Sequence, residues 1–386
     1  MSTIKVNKIE HTGTTAGGVE IDSSGHVQVD GLQMPTTGPL SNRNLIINGA
    51  MEVAQRGTSS TSSGYKTIDR FAIQFDSGGT QTQESLTSGS PYSEGFRKFA
   101  RLTNTTAATA AATTRRISYL MEAQDLAKSG WDYTSPSNYI TLSFWVRASV
   151  TQTYYVNLTT IDGTAQHYTF AISLTADTWT KIEKTIPGNS NITINNDNGL
   201  GLQIDFVPFF GTNFTDSSFT LDSWAAFSSS SRYPNFSTSW AGTTNATFDV
   251  TGVQLEVGEK ATPFEHRSFN DELARCQRYY CHYGSPFTTV TEGLRVGIGY
   301  VTAPTQAHVI LPTGPGKMRT DPTANHTNSQ INDAATNEAI SSFGDVIAYN
   351  GHVYLQINTS SGLTEGRGCN IRFNTTSGNL TLNSEF

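Results

Sequence analysis

The amino-acid sequence predicts an all-β fold, and three observations lead to this prediction. Only 36% of the 386 residues are hydrophobic and 15% are charged, while Ser, Thr, Asn and Gly fill much of the rest. Such a composition is typical of short strands joined by polar turns. Apolar and polar residues alternate in several stretches, as in strands that bury one face. Turn-forming clusters such as IDGTAQ separate these stretches at regular spacing, which favours a sandwich or jelly roll.

The charge balance indicates which partners to expect, and the cysteines indicate the cellular compartment. With 25 Lys and Arg against 32 Asp and Glu, the formal net charge is −7, and no basic cluster occurs. We therefore expect neither nucleic acid nor an anionic membrane as a partner. Cys276, Cys281 and Cys369 form neither a disulfide framework nor a set with zinc-ligand spacing, which favours a reducing cytosol. The first residues lack a signal-peptide core and no apolar run approaches ~18 residues, so no membrane insertion is expected.

Residues 1–41 predict a stalk or anchor of very short strands. In VEIDSSGHVQVDG, the arms 19–21 and 27–29 flank a Ser-Ser-Gly turn. Each arm has three residues and therefore too little apolar area to be stable alone. We expect another surface to cover this segment: a partner, further copies of the chain, or the rest of the same chain.

Residues 42–265 predict the main β domain, a jelly roll. In YITLSFWVRA, Ile140, Leu142, Phe144 and Val146 share one parity, which indicates an antiparallel strand with one buried face. Three further stretches alternate in the same way: 154–158, 168–174 and 200–206.

The last strand of this domain carries an insertion. Val250 and Val253 have opposite parities within one apolar run, so one residue is extra, and Gly252 predicts a β-bulge there. Pro263 then ends the strand, because proline has no backbone N–H for the ladder.

Residues 266–284 predict a junction helix. It begins with Ser268, followed three residues later by Asp271 in a capping-box-like arrangement, and it is expected to end near Gly284. Spacings of four, three and four place one narrow apolar seam on it: Phe269, Leu273, Cys276 and Tyr280. The seam can pack either on the chain's own sheet or against copies of itself, and the pattern alone does not choose between these.

Residues 285–386 predict a second β domain. Asn350-Gly351 between apolar arms is a strong hairpin signal, and LRVGIGYV alternates at Leu294, Val296, Ile298 and Tyr300. The polar stretch 312–337 has three prolines and is interpreted as a long, functional surface loop.

Aromatic side chains are the strongest candidate for chemistry, since the sequence contains no phosphate-binding, nucleophile or metal motif. Flat rings can stack on sugars and line a glycan site. Five aromatics lie in polar, turn-rich surroundings or just before the closing strand: Trp131, Tyr133, Trp224, Tyr233 and Trp240. The alternative is that these residues belong to the core, as most aromatics of β-sandwiches do.

Several motifs together resemble tail-fibre-like structural proteins of tailed bacteriophages. The motifs are NLIINGAMEVAQRGT (44–58), IDRF (68–71), TLSFWVRAS (141–149), TGVQLEVGEKATPFEHRSFNDELARCQRYY (251–280) and MRTDPT (318–323). The resemblance covers roughly residues 42–325. In that family, a jelly-roll module similar to carbohydrate-binding modules precedes a short helix and a β-rich tip domain.

The resemblance implies a non-enzymatic, homotrimeric virion appendage that is made in the host cytoplasm. It implies that the N-terminal segment binds other virion proteins and that the tip attaches to a glycan or protein receptor on the host surface. It also favours a three-fold helix bundle at the junction. Two alternatives stay open. One is a depolymerising tailspike, which needs two acids about 5 to 10 Å apart; the other is a purely structural adaptor or head-decorating fibre.

The resemblance also raises the question of a structural calcium. Related sugar-binding jelly rolls hold calcium between their first and last strands, but here Thr251-Gly252 stands where acids are expected. Glu52 and Asp249 are the remaining candidate ligands, and a hard cation would need backbone carbonyls besides them.

Overall fold

A computed structural model describes residues 8–9, 18–21, 27–29, 32–33, 42–284, 294–375 and 377–386. Nearly all of its regular structure is antiparallel sheet, which confirms the all-β prediction. None of the helices in these ranges is long and apolar enough to span a membrane.

The first described strands form a small sheet of their own. Its four strands, in spatial order, are β1 (Lys8–Ile9), β2 (Val19–Ile21), β3 (Val27–Val29) and β4 (Leu32–Gln33). Val19 pairs with Val29 and Ile21 with Val27, so the predicted pairing of these two arms is confirmed. The predicted turn between the arms lies outside the described residues. The paired apolar side chains are exposed, so nothing in the described structure covers this face.

Two six-stranded sheets then pack face to face. In chain order their strands are β5 (Ser59–Ser60), β6 (Phe71–Phe75), β7 (Gly79–Ser85), β8 (Lys98–Asn104), β9 (Thr114–Glu122), β10 (Tyr139–Ala148), β11 (Gln152–Thr160), β12 (Gln166–Leu174), β13 (Thr180–Pro187), β14 (Leu200–Phe210), β15 (Trp224–Ala226) and β16 (Ala246–Val257). One sheet has the order β13-β10-β16-β8-β7-β5 and the other β15-β12-β11-β14-β9-β6. Short helices α1 (Ser90–Ser93), α2 (Ala123–Ala127) and α3 (Ser239–Gly242) and a 3₁₀ turn (Thr212–Phe214) lie in the connections.

Strand β10 is buried on both faces, which differs from the prediction of one buried face. Ile140, Leu142 and Phe144 point into the main core as expected. On the opposite face Trp145 is also buried, in a second cluster with Phe96 and neighbouring aromatics. The alternation of polar and apolar residues could not show this, because the covering residues come from distant segments.

The bulge in β16 is confirmed by the register of the sheet. Ser143 pairs with Gln254 and Trp145 with Thr251, so two residues of β16 oppose one residue of β10. Gly252 has a φ of +63°, and a Cβ atom there would lie 2.7 Å from the ring of Phe96. Glycine is therefore required for both its backbone conformation and its size.

The junction helix, α4 (Phe269–Cys276), is shorter than predicted. Its start is confirmed, because the Ser268 side chain accepts a hydrogen bond from the Asp271 N–H at 3.2 Å. After Cys276, backbone bonds tighten into i→i−3 turns, and residues 280–284 form strand β17. Pairing of Tyr280 with Asn383 supplies backbone partners from the far end of the chain, which a local spacing pattern cannot reveal.

The remaining strands form a three-stranded sheet and a closed six-stranded barrel. They are β17 (Tyr280–Gly284), β18 (Arg295–Ala303), β19 (Gln306–Pro312), β20 (Thr323–Thr327), β21 (Ser329–Asn332), β22 (Asn337–Tyr349), β23 (His352–Thr359), β24 (Gly368–Phe373) and β25 (Asn379–Asn383). The sheet has the order β17-β25-β20, and the barrel runs β18-β19-β23-β22-β21-β24. Tyr349 pairs with His352, which confirms the Asn350-Gly351 hairpin. The interpretation of 312–337 as one loop is wrong, since β20 and β21 lie within it.

Candidate functional site

Three of the five aromatics predicted to bind a glycan are core residues. Trp131, Tyr233 and Trp240 are all buried. The Trp240 indole N–H donates to the Thr247 carbonyl at 2.9 Å, and the Tyr233 ring packs edge-on against Phe210. These side chains cannot stack on a sugar, so the core alternative applies to them. Their neighbours in the sequence are polar and turn-forming, and these neighbours gave no sign of the burial.

The other two predicted aromatics are half-buried. Trp224 donates from its indole N–H to the Pro187 carbonyl at 2.7 Å, and Tyr133 packs against Trp131 with ring centroids 6.2 Å apart. Both lean on the main core. A glycan role for Tyr133 and Trp224 stays a prediction.

The two candidate calcium ligands do not form a calcium site. Asp249 is completely buried, and its two carboxylate oxygens accept four hydrogen bonds of 2.7 to 2.9 Å from Arg101 and Arg147. Two guanidinium groups thus already occupy the lone pairs that a cation would need. Within the described ranges, no three His, Cys, Asp or Glu side chains are grouped to hold a metal ion. The residues therefore do not fit calcium.

The motifs that carry the family resemblance meet at the joint between the sandwich and the later strands. Arg267 donates to Glu272 and to Glu265, each at 2.9 Å. Glu272 also accepts the backbone N–H of Asn48, and Arg267 donates to the Asn44 carbonyl. Buried carboxylates and a guanidinium thus fasten α4 onto the first residues of the sandwich.

Arg70 of the IDRF motif forms the centre of a second cluster in the joint. Its side chain is completely buried and donates to the Glu385 carboxylate and to the Leu120 carbonyl. Its guanidinium carbon lies 3.4 Å from the centroid of the Tyr279 ring. A desolvated cation on an aromatic face is strongly held, so this cluster fixes the end of the chain against the sandwich.

Glu122, also completely buried, joins the sandwich to the residues that follow α4. Arg278 donates to its two carboxylate oxygens at 2.7 and 2.6 Å, and the Tyr279 hydroxyl donates at 2.5 Å. Burial raises the pKa of Glu122, but these hydrogen bonds outweigh burial and hold the pKa below its usual value. The joint is therefore built from charges that are desolvated and paired.

Only part of the predicted trimerisation seam is available on the surface. Phe269 is 55% exposed, and Leu273 is partly exposed. Cys276 and Tyr280 are buried within the chain, and Tyr280 lies on β17 instead of the helix. The seam is therefore not one continuous surface, because the buried face of α4 is set by Glu272 and Cys276.

Glu52 is one of the acids whose surroundings resemble those of a general acid. It lies in the shared wall of two cavities of about 430 and 260 Å³, and burial raises its pKa. Two other acids line the smaller cavity, Glu265 and Glu272. Both are paired with Arg267. A hydrolytic pair of acids in this cavity would have to combine Glu52 with Glu265 or Glu272, whose charges are already paired with Arg267.

The outer side of the barrel carries exposed aromatic and aliphatic residues that the sequence analysis did not identify as a site. We call this surface the tyrosine face and define it by Ile298, Tyr300, His308, Ile310, Tyr349 and Tyr354. The sheet register places Ile298 beside Ile310, Ile310 beside Tyr354, and Tyr300 beside His308. Ile298 is 81% exposed and Tyr300 56% exposed.

Glycines explain why β18 turns its apolar side chains outward. Gly297 and Gly299 face the interior, where an added Cβ would meet Val309 and Leu311 within 2.6 to 2.8 Å. Side chains of β19 therefore already fill the barrel interior beside these two glycines. The signal in the sequence is the pattern G-I-G-Y, in which Gly297 and Gly299 alternate with the exposed Ile298 and Tyr300. Val296 instead packs against the barrel core.

The rings of the tyrosine face contact one another. The Tyr300 and His308 centroids are 5.6 Å apart, and those of His308 and Tyr354 are 5.3 Å apart. Tyr349 stacks on His352 at 5.2 Å and 17°. Burial, followed by the neighbouring Tyr300, Asp345 and Tyr349, raises the pKa of Tyr354, so its hydroxyl stays protonated and can donate a hydrogen bond at neutral pH. An exposed surface of this type is typical of a binding site.

Comparisons with known proteins give distant structural likenesses. No family model matches the chain, and no curated protein sequence matches it. The enzymatically active domain of tailspike protein 4 of bacteriophage CBA120 aligns at 10% identity and a TM-score of 0.31, over 56% of this chain and 22% of that chain. The family 11 carbohydrate-binding module of the cellulase Lic26A-Cel5E of Clostridium thermocellum aligns at 11% identity and a TM-score of 0.26, over 54% of this chain and 98% of the module. A family 16 carbohydrate-binding module aligns at 11% identity and a TM-score of 0.26, over 55% and 99%.

Proposed function

We propose that the chain is a non-enzymatic attachment protein in an appendage of a tailed-phage virion. The sandwich supports the barrel, and the tyrosine face of the barrel contacts a glycan on the host surface. The observation that carries this proposal is the exposure of that face together with the contacts between its rings.

The joint supports the same proposal. Residues of the motifs that resemble tail-fibre-like proteins bind across it: Arg70 pairs with Glu385, Arg278 pairs with Glu122, and Arg267 donates to the Asn44 carbonyl. We expect a joint with buried ion pairs to restrict the orientation of the strands that follow it, as an attachment tip requires. The motifs thus serve architecture, which leaves the tyrosine face free to vary with the receptor.

The proposal includes a homotrimer with an N-terminal anchor. The first sheet presents Ile9, Val19, Ile21, Val27 and Val29 to solvent, and α4 presents Phe269. In a trimer, contacts between the three copies would bury these apolar side chains. Residues 1–41 would also contact other virion proteins. Three tips on one particle increase avidity, so a weak contact at each tip suffices.

Binding of the purified, fluorescently labelled full chain to a panel of bacterial strains tests the proposal. Tyr300→Ala and Tyr354→Ala are expected to lose binding to the strains that the wild type binds. Tyr92→Ala is the matched control, since Tyr92 is an exposed tyrosine on α1 of the sandwich. Point variants are preferable to deletion of residues 285–386, because that deletion removes Glu385 and leaves the buried Arg70 unpaired.

Two outcomes contradict the proposal. Binding that survives in both tyrosine variants moves the contact elsewhere on the molecule. A wild-type chain that binds no strain but assembles with other virion proteins supports the adaptor alternative.

A further inference from the structure

The tyrosine face has a shape and a charge that restrict its ligand. Tyr300, His308 and Tyr354 lie on three adjacent strands, β18, β19 and β23. Adjacent strands are about 4.8 Å apart, so the outer two rings are separated by about 10 Å across the sheet. His308 lies edge-on to both tyrosines, at 68° and 70°, so the two tyrosine rings are the ones that can stack on alternate pyranose rings of a sugar chain, whose C–H faces are apolar.

Lys and Arg are absent from the middle of the four strands that form this face, and the exposed Arg295 lies at the start of β18, three residues before Ile298. Within the described stretches 296–300, 308–312, 345–349 and 352–356, the sequence contains no Lys and no Arg. Asp345, which lies close enough to Tyr354 to raise its pKa, is the acid of these stretches. Beside the rings, a sugar that carries a carboxylate or a phosphate would meet this negative charge, and the guanidinium of β18 lies at Arg295, five residues before Tyr300.

Hydrogen-bonding groups accompany the rings. The Nε2 atom of His308 has no hydrogen-bond partner among the described residues but is enclosed, so a ligand hydroxyl can pair with it only when the His308 ring turns outward. Gln356 pairs with His308 in the register and presents an amide beside the same strip. Neutral donors and acceptors beside flat rings match the hydroxyl-rich edge of an uncharged sugar.

We infer that the tyrosine face binds a neutral saccharide, with Tyr300 and Tyr354 as stacking residues and His308 and Gln356 as hydrogen-bonding residues. This inference rests on the proposed attachment function and specifies the ligand class at the same site. A second copy of the chain is the competing occupant, because exposed Ile298 and Ile310 could also pack in an interface between copies.

The inference is tested with the purified full chain on an array of oligosaccharides. The probes are neutral hexose and N-acetylhexosamine chains, together with uronate- and sialate-bearing chains of the same lengths. Wild type is expected to bind neutral probes, and Tyr300→Ala or Tyr354→Ala to weaken this binding about tenfold. Tyr92→Ala is expected to bind like wild type. Asp345→Lys, which adds a cation to the face, is expected to gain affinity for the acidic probes.

The outcomes separate this inference from the proposed function. Binding to acidic probes alone overturns the inference, and so does wild-type self-association that the tyrosine variants abolish. If the chain attaches to cells through Tyr300 and Tyr354 but binds no neutral probe, the ligand class is wrong and the attachment function stands. If the tyrosine variants attach to cells like wild type, the attachment site itself is wrong.

Discussion

The completely buried guanidinium of Arg70 pairs with the carboxylate of Glu385, which lies 315 residues further along the chain. The Glu385 side chain is itself only 2% exposed. This pair joins the first strands of the sandwich to the segment after the last strand. The contribution of the pair to the free energy of folding depends on both charges, because either charge alone would be buried without a partner.

Removal of Glu385 is therefore expected to be costly. Glu385→Ala should lower the free energy of unfolding by about 3–5 kcal/mol, as for other buried pairs that lose one partner. Urea denaturation gives this value. The control is Asp222→Asn, which removes the charge from the exposed Lys184–Asp222 pair of 2.7 Å, keeps a residue type that tolerates the φ of +59°, and should cost about 0–1 kcal/mol. Equal losses in the two variants would show that the Arg70–Glu385 pair contributes little.

Substitution of Gly252 is expected to disturb the bulge in β16. Gly252→Ala places a methyl group against the Phe96 ring and should cost about 1–3 kcal/mol from overpacking, besides about 1–2 kcal/mol for the left-handed backbone. Gly366→Ala is the matched control, since Gly366 has a φ of +82° and open space around it. Thermal unfolding of both variants isolates the packing contribution. If Gly366→Ala is the less stable of the two, the contact with Phe96 is not the cause.

Asp69 is expected to make stability depend on pH in the acidic range. Burial raises its pKa to about 6, against the opposing influence of Arg56 and Gln55. The folded state therefore binds a proton more tightly than the unfolded state does. Asp69 contributes most stability below about pH 4, and this contribution is lost as the pH rises to 6, by on the order of 3 kcal/mol.

The variant Asp69→Asn should remove this pH dependence. Urea denaturation at pH 4, 5, 6 and 7 measures it, with the exposed Asp132 replaced by Asn as a control that keeps the wild-type slope. The opposite result would contradict the prediction: the free energy of unfolding of the wild type would rise between pH 4 and 6, and Asp69→Asn would abolish this rise.

Self-association through α4 is expected to depend on its exposed residues alone. Phe269→Asp and Leu273→Asp should shift the oligomer toward monomer, because a carboxylate would be buried in the contact between copies. Cys276→Ala removes a buried side chain inside the chain, so it should reduce stability and leave the oligomeric state unchanged. Size-exclusion chromatography with light scattering distinguishes these results. A trimer that persists in both Asp variants places the contact outside α4.

Local patterns predicted the local features of this fold. Alternation at Ile140–Val146 identified β10, the phase change around Gly252 identified the bulge, and Ser268 identified the start of α4. Each of these depends on a few neighbouring residues. The helix end at Cys276 was missed because β17 is determined by pairing with β25, more than 90 residues away. Contacts from other strands also bury Tyr233 and Trp240, such as Tyr155 against Tyr233 and Gln152 against Trp240, and a local pattern does not show them.

The candidate site was missed for another reason. Apolar alternation was taken to mark a buried side, yet in β18 Gly297 and Gly299 face the interior while Ile298 and Tyr300 face solvent. Which side of a strand is buried depends on the size of the partners inside the barrel, and Val309 and Leu311 of β19 fill that space. Only the combination of glycine on one parity with Ile and Tyr on the other could have indicated this arrangement.

The pairing of Arg70 with Glu385 also sets an order of events during synthesis. At about 5–20 residues per second, a ribosome reaches Glu385 roughly 15–60 s after Arg70. During that interval Glu385 is not yet available, so the guanidinium of Arg70 in the nascent sandwich lacks its carboxylate partner. The Arg70–Glu385 pair can form only when Glu385 emerges, so a chain that stops before Glu385 lacks this part of the joint and is expected to be more open to proteases there. Limited proteolysis of a chain that stops at Ser384, compared with the full chain, measures this difference.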